Sequence, residues 1–276
     1  MSFQLPIGRP ALMGILNITP DSFSDGGVHF RAEDAVRSGL TMLQNGADIL
    51  DIGGESTRPG AEEVPIGEEL RRVLPVVDAL AKAGAIISID TKKASVAEAA
   101  LDAGAQIVND ITALSDPEMR DLCAERNCRV CLMHMQGTPQ TMQKQPVYGD
   151  VVEDVFGFLV QRAEEVAGAG VRRENIWIDP GIGFGKTVEH NLALLRNLGK
   201  FTGSGYPVLI GVSRKSFIGR LLGKSEPLPS EDRLEGTLAL QALAQLDGAA
   251  IIRAHDVKES RRVINTLAAV VASEGS

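Results

Sequence analysis

The chain has 276 residues, with 28 Lys or Arg against 36 Asp or Glu, so its formal net charge is −8. Hydrophobic residues make up 44% and charged residues 23%, as in an ordinary globular protein with a substantial core. An acidic chain without Lys/Arg blocks is not typical of proteins that bind nucleic acid or membrane surfaces, so we expect neither partner. Any anionic ligand would have to be held by a local basic cluster.

Neither a membrane span nor a secretory signal is predicted. No stretch approaches about 18 consecutive apolar residues. The segment from Met1 to Met13 lacks the charged region and the apolar region of a signal peptide. We therefore expect a cytoplasmic protein.

Short apolar runs alternate with helix-period segments along the chain. The predicted strands are Leu12–Ile18, Ile49–Gly53, Ala85–Asp90, Gln106–Asp110, Arg129–Met133, Ile176–Asp179, Pro207–Val212 and Ala250–Arg253. The helices predicted between and after them are Ala32–Gln44, Glu68–Ala83, Ser95–Ala103, Pro117–Arg126, Val151–Ala167, Glu189–Leu198, Glu231–Leu246 and Lys258–Ala272.

The predicted strands are continuously apolar, which indicates a parallel sheet that is covered by helices on its outer side. Eight successive strand–helix units favour an α/β fold of the (β/α)8 TIM-barrel type over a doubly wound open sheet, which usually has fewer strands per domain. No linker-like segment divides the chain. Residues 1–276 are therefore predicted to form a single domain.

The three cysteines, Cys123, Cys128 and Cys131, are close enough in sequence to suggest a metal or redox site. No fourth ligand lies at zinc spacing, however, and two of the cysteines fall in a predicted helix and a predicted strand. Buried thiols in a reducing compartment are the favoured interpretation.

Polar residues end every predicted strand, where the loops of a TIM barrel build its active site. Any one of them could instead be a helix N-cap, but that reading is weaker for the whole set, which includes basic residues. The candidates are Asn17, Asp51, Glu55, Asp90, Asn109, His134, Asp179, Ser213, Lys215, Arg253 and His255.

The glycine-rich segment Gly181–Thr187 fails the spacing of known nucleotide-binding loops. A P-loop requires glycine where Pro180 stands, and the dinucleotide pattern requires glycine where Lys186 stands. We expect these glycines to let the backbone approach a flat ligand that is held by Asp179.

Five segments carry a resemblance to a known family: Met13–Gly27, Asp51–Ala61, Asp179–Thr187, Gly211–Ser216 and Arg253–Asp256. In this order they resemble the signature segments of the dihydropteroate synthases, over nearly the whole chain. Two small departures are Ala113, where the family usually has Gly, and Ala254, where Val is frequent. Neither removes a functional side chain, so only loop geometry is put in doubt.

The resemblance implies a folate-biosynthesis transferase of class EC 2.5.1.15. It would join 6-hydroxymethyl-7,8-dihydropterin diphosphate to 4-aminobenzoate and release diphosphate. Catalytic roles would fall to Asp90, Lys215, Arg253 and His255. The pterin would be bound by Asp90, Asn109, Met133, Asp179, Phe184, Lys215 and Arg253, with the Asp179 carboxylate accepting from the paired donors of its edge and Arg253 stacking on its ring.

The same resemblance assigns the diphosphate to Asn17, Arg58, Arg253 and His255. It implies Mg²⁺ as cofactor, with Asn17 as the protein ligand and the other ligands from diphosphate and water. From spacing alone, Asn17 could be a cap and Arg253 could belong to a structural salt bridge. The 4-aminobenzoate pocket is assigned to Phe23, Thr57, Arg58, Pro59, Lys215 and Ser216.

Two other interpretations remain open at this point. A pterin-dependent methyltransferase that binds methyltetrahydrofolate would share the Asp/Asn set but would need no diphosphate loop. A degenerate pterin-binding subunit would be indicated by loss of residues such as Asn17 or Lys215, and none is lost. The family resemblance also implies a homodimer that forms through C-terminal helices. It further implies that the enzyme is a target of sulfonamides, which mimic 4-aminobenzoate.

Overall fold

The computed structural model describes residues 3–18, 28–57 and 60–272, except for the side chains of residues 28–31. Within these residues the strands are β1 (Ala11–Asn17), β2 (Ile49–Gly53), β3 (Ile87–Asp90), β4 (Ile107–Asp110), β5 (Arg129–Met133), β6 (Ile176–Asp179), β7 (Leu209–Ile210) and β8 (Ile251–Ala254). The helices are α1 (Val28–Gln44), α2 (Ile66–Lys82), α3 (Ala94–Asp102), α4 (Pro117–Arg126), α5 (Val151–Gly168), α6 (Val188–Arg196), α7 (Leu198–Thr202), α8 (Ser216–Leu222), α9 (Leu234–Leu246) and α10 (Val257–Ala272).

The eight strands form one parallel sheet in the order β6-β5-β4-β3-β2-β1-β8-β7. Between its two outer strands, Ile178 and Val208 form a parallel bridge, and the Ile178 amide donates to the Pro207 carbonyl at 3.0 Å. The sheet is therefore a nearly closed barrel with helices outside it. The predicted single-domain (β/α)8 fold is confirmed.

Strand side chains alternate between two cores, as expected when both faces of the strands are covered. One core fills the barrel interior and the other lies between strands and helices. Phe3 packs edge-on against Trp177, with 6.5 Å between ring centroids, next to Arg129 at the start of β5. This apolar packing occupies the amino end of the barrel. The interior core contains Ala11, Met13, Ile49, Ile107, Cys131, Trp177, Leu209 and Ile251.

The predicted boundaries fail where local backbone chemistry interrupts a pattern. Strand β7 is much shorter than predicted, because Pro207 has no amide proton to donate and only Leu209 and Ile210 pair with β8. The helix predicted over Glu189–Leu198 is broken at Asn197, whose ψ is 23°. The helix predicted from Glu231 begins at Leu234, after a 3-10 turn. Helix α8 was not predicted.

Ala113 lies where the family usually has glycine, and the structure gives the reason for that preference. Ala113 and Leu114 both adopt left-handed backbone, with φ of 54° and 51°. The buried Asp110 carboxylate holds this turn by accepting from the amides of Thr112 at 2.7 Å and Leu114 at 3.0 Å. The turn therefore tolerates alanine, which adopts this conformation at a cost of about 1 kcal/mol.

The cysteines do not form a joint site. Cys123 and Cys128 lie in the core between strands and helices, whereas Cys131 points into the barrel, and all three are unpaired and buried. In the described ranges, no group of three or more His, Cys, Asp or Glu could hold a metal ion. Of the helices described, none is long and apolar enough to cross a membrane.

Candidate active site

A cavity of about 600 Å³ opens at the carboxyl ends of the strands. Its walls come from most of the strands, which explains how residues far apart in sequence meet there. The predicted site residues that line it are Asn17, Thr57, Asp90, Asn109, Met133, Asp179, Phe184, Lys215, Ser216, Arg253 and His255. Phe23, Arg58 and Pro59, which were also predicted, lie outside the described residues.

Arg253 on β8 is held between two carboxylates. Its Nε donates to Asp51 Oδ2 at 2.6 Å and its Nη2 donates to Asp90 Oδ2 at 2.7 Å. Asn109 Nδ2 donates to the same Asp51 oxygen at 3.1 Å. Arg253 therefore forms salt bridges, as one of the two sequence-based interpretations of this residue proposed. The structure also adds Asp51, which is fully buried and for which the sequence offered no role beyond its position at a strand end.

These contacts set the charge of Asp90. Burial raises the pKa of Asp90, the neighbouring Asp51 charge raises it further, and Arg253 only partly offsets both, so that the pKa lies at about 7. Asp90 can therefore exchange a proton near neutral pH. A carboxyl group poised in this way is typical of a functional site.

His255 follows β8 and faces Ser213. The Ser213 hydroxyl accepts from the His255 amide at 3.1 Å and lies 2.9 Å from His255 Nδ1, to which it can donate. Burial and the Arg253 charge lower the pKa of His255 to about 4. The ring is therefore neutral at pH 7, and in the tautomer whose Nδ1 accepts from Ser213 the proton lies on Nε2. A neutral ring can still bind a diphosphate oxygen through a hydrogen bond.

Lys215 and Phe184 form a further wall of the cavity. Lys215 Nζ lies 3.9 Å from the centroid of the Phe184 ring, within cation–π range. Burial and the Arg253 charge lower the pKa of Lys215 to about 8. Asp179 lies nearby, and its Oδ1 accepts from the Gly181 amide at 2.7 Å, which leaves Oδ2 for a ligand.

The turn that presents Lys215 is strained and strongly anchored. Arg214 has φ of 55°, an unusual value for a residue with a long side chain. Its amide donates to Thr237 Oγ1 at 3.0 Å, its Nε donates to Asp256 Oδ2 at 2.9 Å, and its carbonyl accepts from Arg233 Nη1 at 3.0 Å. The sequence motif pointed to this segment, but not to the partners that hold it.

The glycine-rich loop approaches the chain itself rather than a ligand at two of its positions. A Cβ at Gly181 would lie 1.9 Å from the His134 carbonyl oxygen, and one at Gly185 would lie 2.6 Å from the Gln136 carbonyl oxygen. Both glycines have positive φ. These two glycines let the loop pack against the segment after β5. Gly183 lines the cavity, and there the expected approach to a flat ligand stays a prediction.

His134 belongs to the support of this loop. Its Nδ1 lies 3.0 Å from Lys186 Nζ, which also donates to the carbonyl of Phe184 at 3.0 Å. Burial and the Lys186 charge lower the pKa of His134 to about 3, and burial lowers the pKa of Lys186 to about 7. The buried Lys186 side chain therefore joins the glycine-rich loop to His134.

Comparison with known proteins agrees with this geometry. The family described as "Pterin binding enzyme" matches residues 13–255. The dihydropteroate synthase of Escherichia coli strain K12 is 47% identical over 272 residues, which cover 98% of this chain and 95% of that protein. The dihydropteroate synthase of Haemophilus influenzae is 48% identical over 92% of this chain and 91% of its own length.

Solved structures of dihydropteroate synthases superpose closely. That of Xanthomonas albilineans with 4-aminobenzoic acid has a TM-score of 0.89 and 46% identity, and the match covers 96% of this chain and 94% of that one. That of Yersinia pestis with a sulfonamide drug has a TM-score of 0.91 and 43% identity, over 99% of this chain and 100% of that one. A Xanthomonas albilineans structure in complex with 7,8-dihydropteroate has a TM-score of 0.87 and 43% identity, over 97% of this chain and 96% of that one.

Proposed function

The chain belongs to the dihydropteroate synthases among the pterin-binding enzymes, and from this membership we propose that it joins 6-hydroxymethyl-7,8-dihydropterin diphosphate to 4-aminobenzoate. The products are 7,8-dihydropteroate and diphosphate. The observation that carries the proposal is the meeting of Asp179, Asn109, Lys215 and Arg253 in one cavity at the carboxyl ends of the barrel strands.

The pterin has a donor edge and an acceptor edge, and the cavity offers a partner for each. Asp179 Oδ2 can accept from the 2-amino group and the ring N–H, and Lys215 can donate to the acceptor edge. The Phe184 ring and the Met133 side chain can cover the apolar faces of the bicycle. Arg253, released from one of its carboxylates, could stack on the ring.

The reaction needs no nucleophile from the protein, because the aniline nitrogen of 4-aminobenzoate attacks. The bond between the pterin methylene carbon and the diphosphate oxygen breaks, and its electron pair leaves with the diphosphate. The nitrogen lone pair then forms the new C–N bond and the nitrogen releases a proton to solvent. Asp90, which lines the cavity, would supply negative charge that stabilises a methylene cation before attack, as the family implies.

The diphosphate would lie beside Asn17, Arg253 and His255, with Arg58 as the fourth group that the family implies. A neutral His255 can donate Nε2–H to a phosphate oxygen while Ser213 holds its other nitrogen. Mg²⁺ fits this position because the Asn17 amide oxygen is a hard ligand, and the ion would take its remaining ligands from the substrate and water. When bound, the ion would neutralise charge on the departing diphosphate.

4-Aminobenzoate would lie against Thr57, Lys215 and Ser216, with Phe23, Arg58 and Pro59 from the loops as the family implies. A sulfonamide would compete for the same pocket. We also propose a cytoplasmic location, which suits three unpaired cysteines. A homodimer is supported by exposed apolar side chains on helices that adjoin one another in the barrel wall, namely Leu222 of α8, Leu243 and Leu246 of α9, and Val271 of α10.

The test is a product assay that separates the two enzymatic alternatives. The protein is incubated with the pterin diphosphate, Mg²⁺ and 4-aminobenzoate, and both diphosphate and dihydropteroate are quantified. We expect equal amounts of the two products. Absence of dihydropteroate, together with transfer of the methyl group of methyltetrahydrofolate to a nucleophilic acceptor added to a parallel reaction, would overturn the proposal in favour of a methyltransferase. The matching relatives do not favour that alternative.

A further inference from the structure

Lys93, which lies outside the cavity, contacts both ends of the segment that carries Thr57. Its more exposed neighbour Lys92 adds ion pairs to Glu55 at 3.4 Å and Glu63 at 2.9 Å. Lys93, just before α3, donates from Nζ to Glu55 Oε2 at 2.6 Å, to Glu69 Oε2 at 2.6 Å and to the Val64 carbonyl oxygen at 2.5 Å. These contacts can occupy all three protons of an ammonium group. The Lys93 side chain is only 13% exposed.

Glu55 and Val64 are also joined to each other. The Val64 amide donates to Glu55 Oε2 at 2.9 Å, the same oxygen that Lys93 contacts. Burial alone would raise the pKa of Glu55, but the bonds from Lys93 and the Val64 amide hold that pKa below its ordinary value. Glu55 and Val64, the two ends of segment 55–64, thus meet at one charged centre.

The centre is fixed to the barrel by Glu69 of α2. The Glu69 side chain is buried, and its Oε1 accepts from Thr91 Oγ1 at 2.8 Å. Arg72 of the same helix donates from Nη1 to the Gly54 carbonyl at 2.8 Å. The base of the loop is therefore tied to both α2 and the end of β3.

Thr57 lies two residues beyond Glu55 and lines the cavity, whose described lining does not include Lys93. We propose that Lys93 is a positioning residue that fixes segment 55–64 and so holds Thr57 in place for 4-aminobenzoate. This inference rests on the proposed function. A pocket that is correctly formed for only a fraction of the time binds more weakly by that fraction, so loss of the tether raises the KM for the second substrate.

The pterin pocket should be spared, because its residues stand on strands and on the loops after β6 and β7. Substitution of Lys93 should therefore raise the KM for 4-aminobenzoate and leave the Kd for the pterin nearly unchanged. A residue needed only for global stability would weaken both substrates or neither.

The experiment must keep Glu69 from being left as a buried, unpaired charge. We therefore combine Lys93→Met with Glu69→Gln, which removes one charge of each sign and retains an acceptor for Thr91. Lys82→Met is the control, since Lys82 forms an exposed pair with Asp78 at the opposite end of α2 from Glu69. The KM for 4-aminobenzoate is measured at saturating pterin diphosphate, and the Kd for the pterin is measured by calorimetry.

We expect the KM for 4-aminobenzoate to rise about tenfold in the double variant, as for loss of one charge-assisted hydrogen bond that orders the site. The Kd for the pterin should change by less than about twofold, and the control should match the wild type. The Val64 amide should also exchange its hydrogen faster in the variant.

A Glu55→Gln substitution supplies an independent check. If Lys93 acts through Glu55, adding Glu55→Gln to the double variant should raise the KM little further. A wild-type KM in the folded double variant, or equal losses for both substrates, would overturn the positioning role. Failure of the proposed function would instead appear as wild-type protein that forms no dihydropteroate.

Discussion

Asp51 Oδ2 lies 2.6 Å from Arg253 Nε, although the two residues are 202 positions apart in the chain. Their strands, β2 and β8, are the two neighbours of β1. Because Asp90 binds the same guanidinium at 2.7 Å, one cation pairs with two carboxylates, of which Asp51 is fully buried and Asp90 lines the cavity. The excess of negative charge in this group determines how the site responds to pH.

The first prediction concerns Asp51→Asn. Because the Asp51 charge helps to raise the pKa of Asp90 to about 7, its removal should lower the pKa of Asp90 toward its ordinary value. A shift of one or more pKa units would correspond to about 1.4 kcal/mol or more. Carboxyl ¹³C NMR titration would measure the shift, with Glu98→Gln, at an exposed helix position, as control. An unchanged midpoint would contradict the coupling.

The second prediction concerns the pH dependence of stability that follows from the raised pKa of Asp90. Asp90 has a higher pKa in the folded protein than in the unfolded chain, so its contribution to stability is present below about pH 4 and is lost as the pH rises to about 7. Asp90→Asn lacks this titration. The free energy of unfolding of the variant, relative to wild type, should therefore increase between pH 4 and pH 7 in urea denaturation experiments. A constant difference over that range would rule out a raised pKa.

Much of the fold could be predicted because it depends on local patterns. Ile49–Gly53, Arg129–Met133 and Ile176–Asp179 are short, mostly apolar runs, and their predicted bounds agree with the structure. Strand β7 and helix α8 could not be predicted in this way. β7 is limited by its pairing with distant strands, and α8 is a short helix whose start depends on the turn at Arg214.

The candidate site, too, could be predicted only in part from the sequence. Asp90, Asp179 and Lys215 could be located because every barrel strand ends at the same face. Their charges could not be predicted, because the pKa values depend on neighbours that only the closed barrel brings together. Asp51 and Lys93 illustrate the limit, since the importance of each lies in its contacts rather than in a motif.

The third prediction tests the packing of the glycine-rich loop. Gly181→Ala should destabilise the protein by about 4 kcal/mol or more, because the new methyl group would overlap the His134 carbonyl in addition to the strain of positive φ. Gly205→Ala is the matched control, with φ of +85° and nothing within 4 Å of the new Cβ. We expect it to cost only about 1–2 kcal/mol. Equal losses in denaturant unfolding would exclude the close approach as the cause.

The fourth prediction concerns the proposed homodimer. Leu246 of α9 is 60% exposed and would be covered by a second copy of the chain. Leu246→Lys should therefore weaken association at least about tenfold, because a desolvated charge in an apolar interface costs more than about 1.4 kcal/mol. Sedimentation velocity over a concentration series would measure this. The exposed Val147→Lys, in the loop before α5, is the control, and a wild-type protein that stays monomeric would refute the proposal.

The fifth prediction tests the pterin edge at Asp179. Asp179→Asn should leave the fold intact, since the asparagine oxygen can still accept from the Gly181 amide in place of Oδ1. The other carboxylate oxygen, however, becomes an NH₂ group that would face the donor edge of the pterin. Two donors would then oppose each other in a buried site, so pterin binding should weaken by about 2–4 kcal/mol.

Calorimetry with the pterin would measure this loss, and the melting temperature would show whether the variant is folded. Asn109→Asp is an informative companion, because it would add an acceptor near the same ligand while losing the bond from Asn109 Nδ2 to Asp51. If Asp179 receives the paired donors, Asp179→Asn must be the more damaging change for pterin affinity. A folded Asp179→Asn protein with wild-type affinity would mean that the donor edge is bound elsewhere in the cavity, and the orientation of the pterin would have to be reversed.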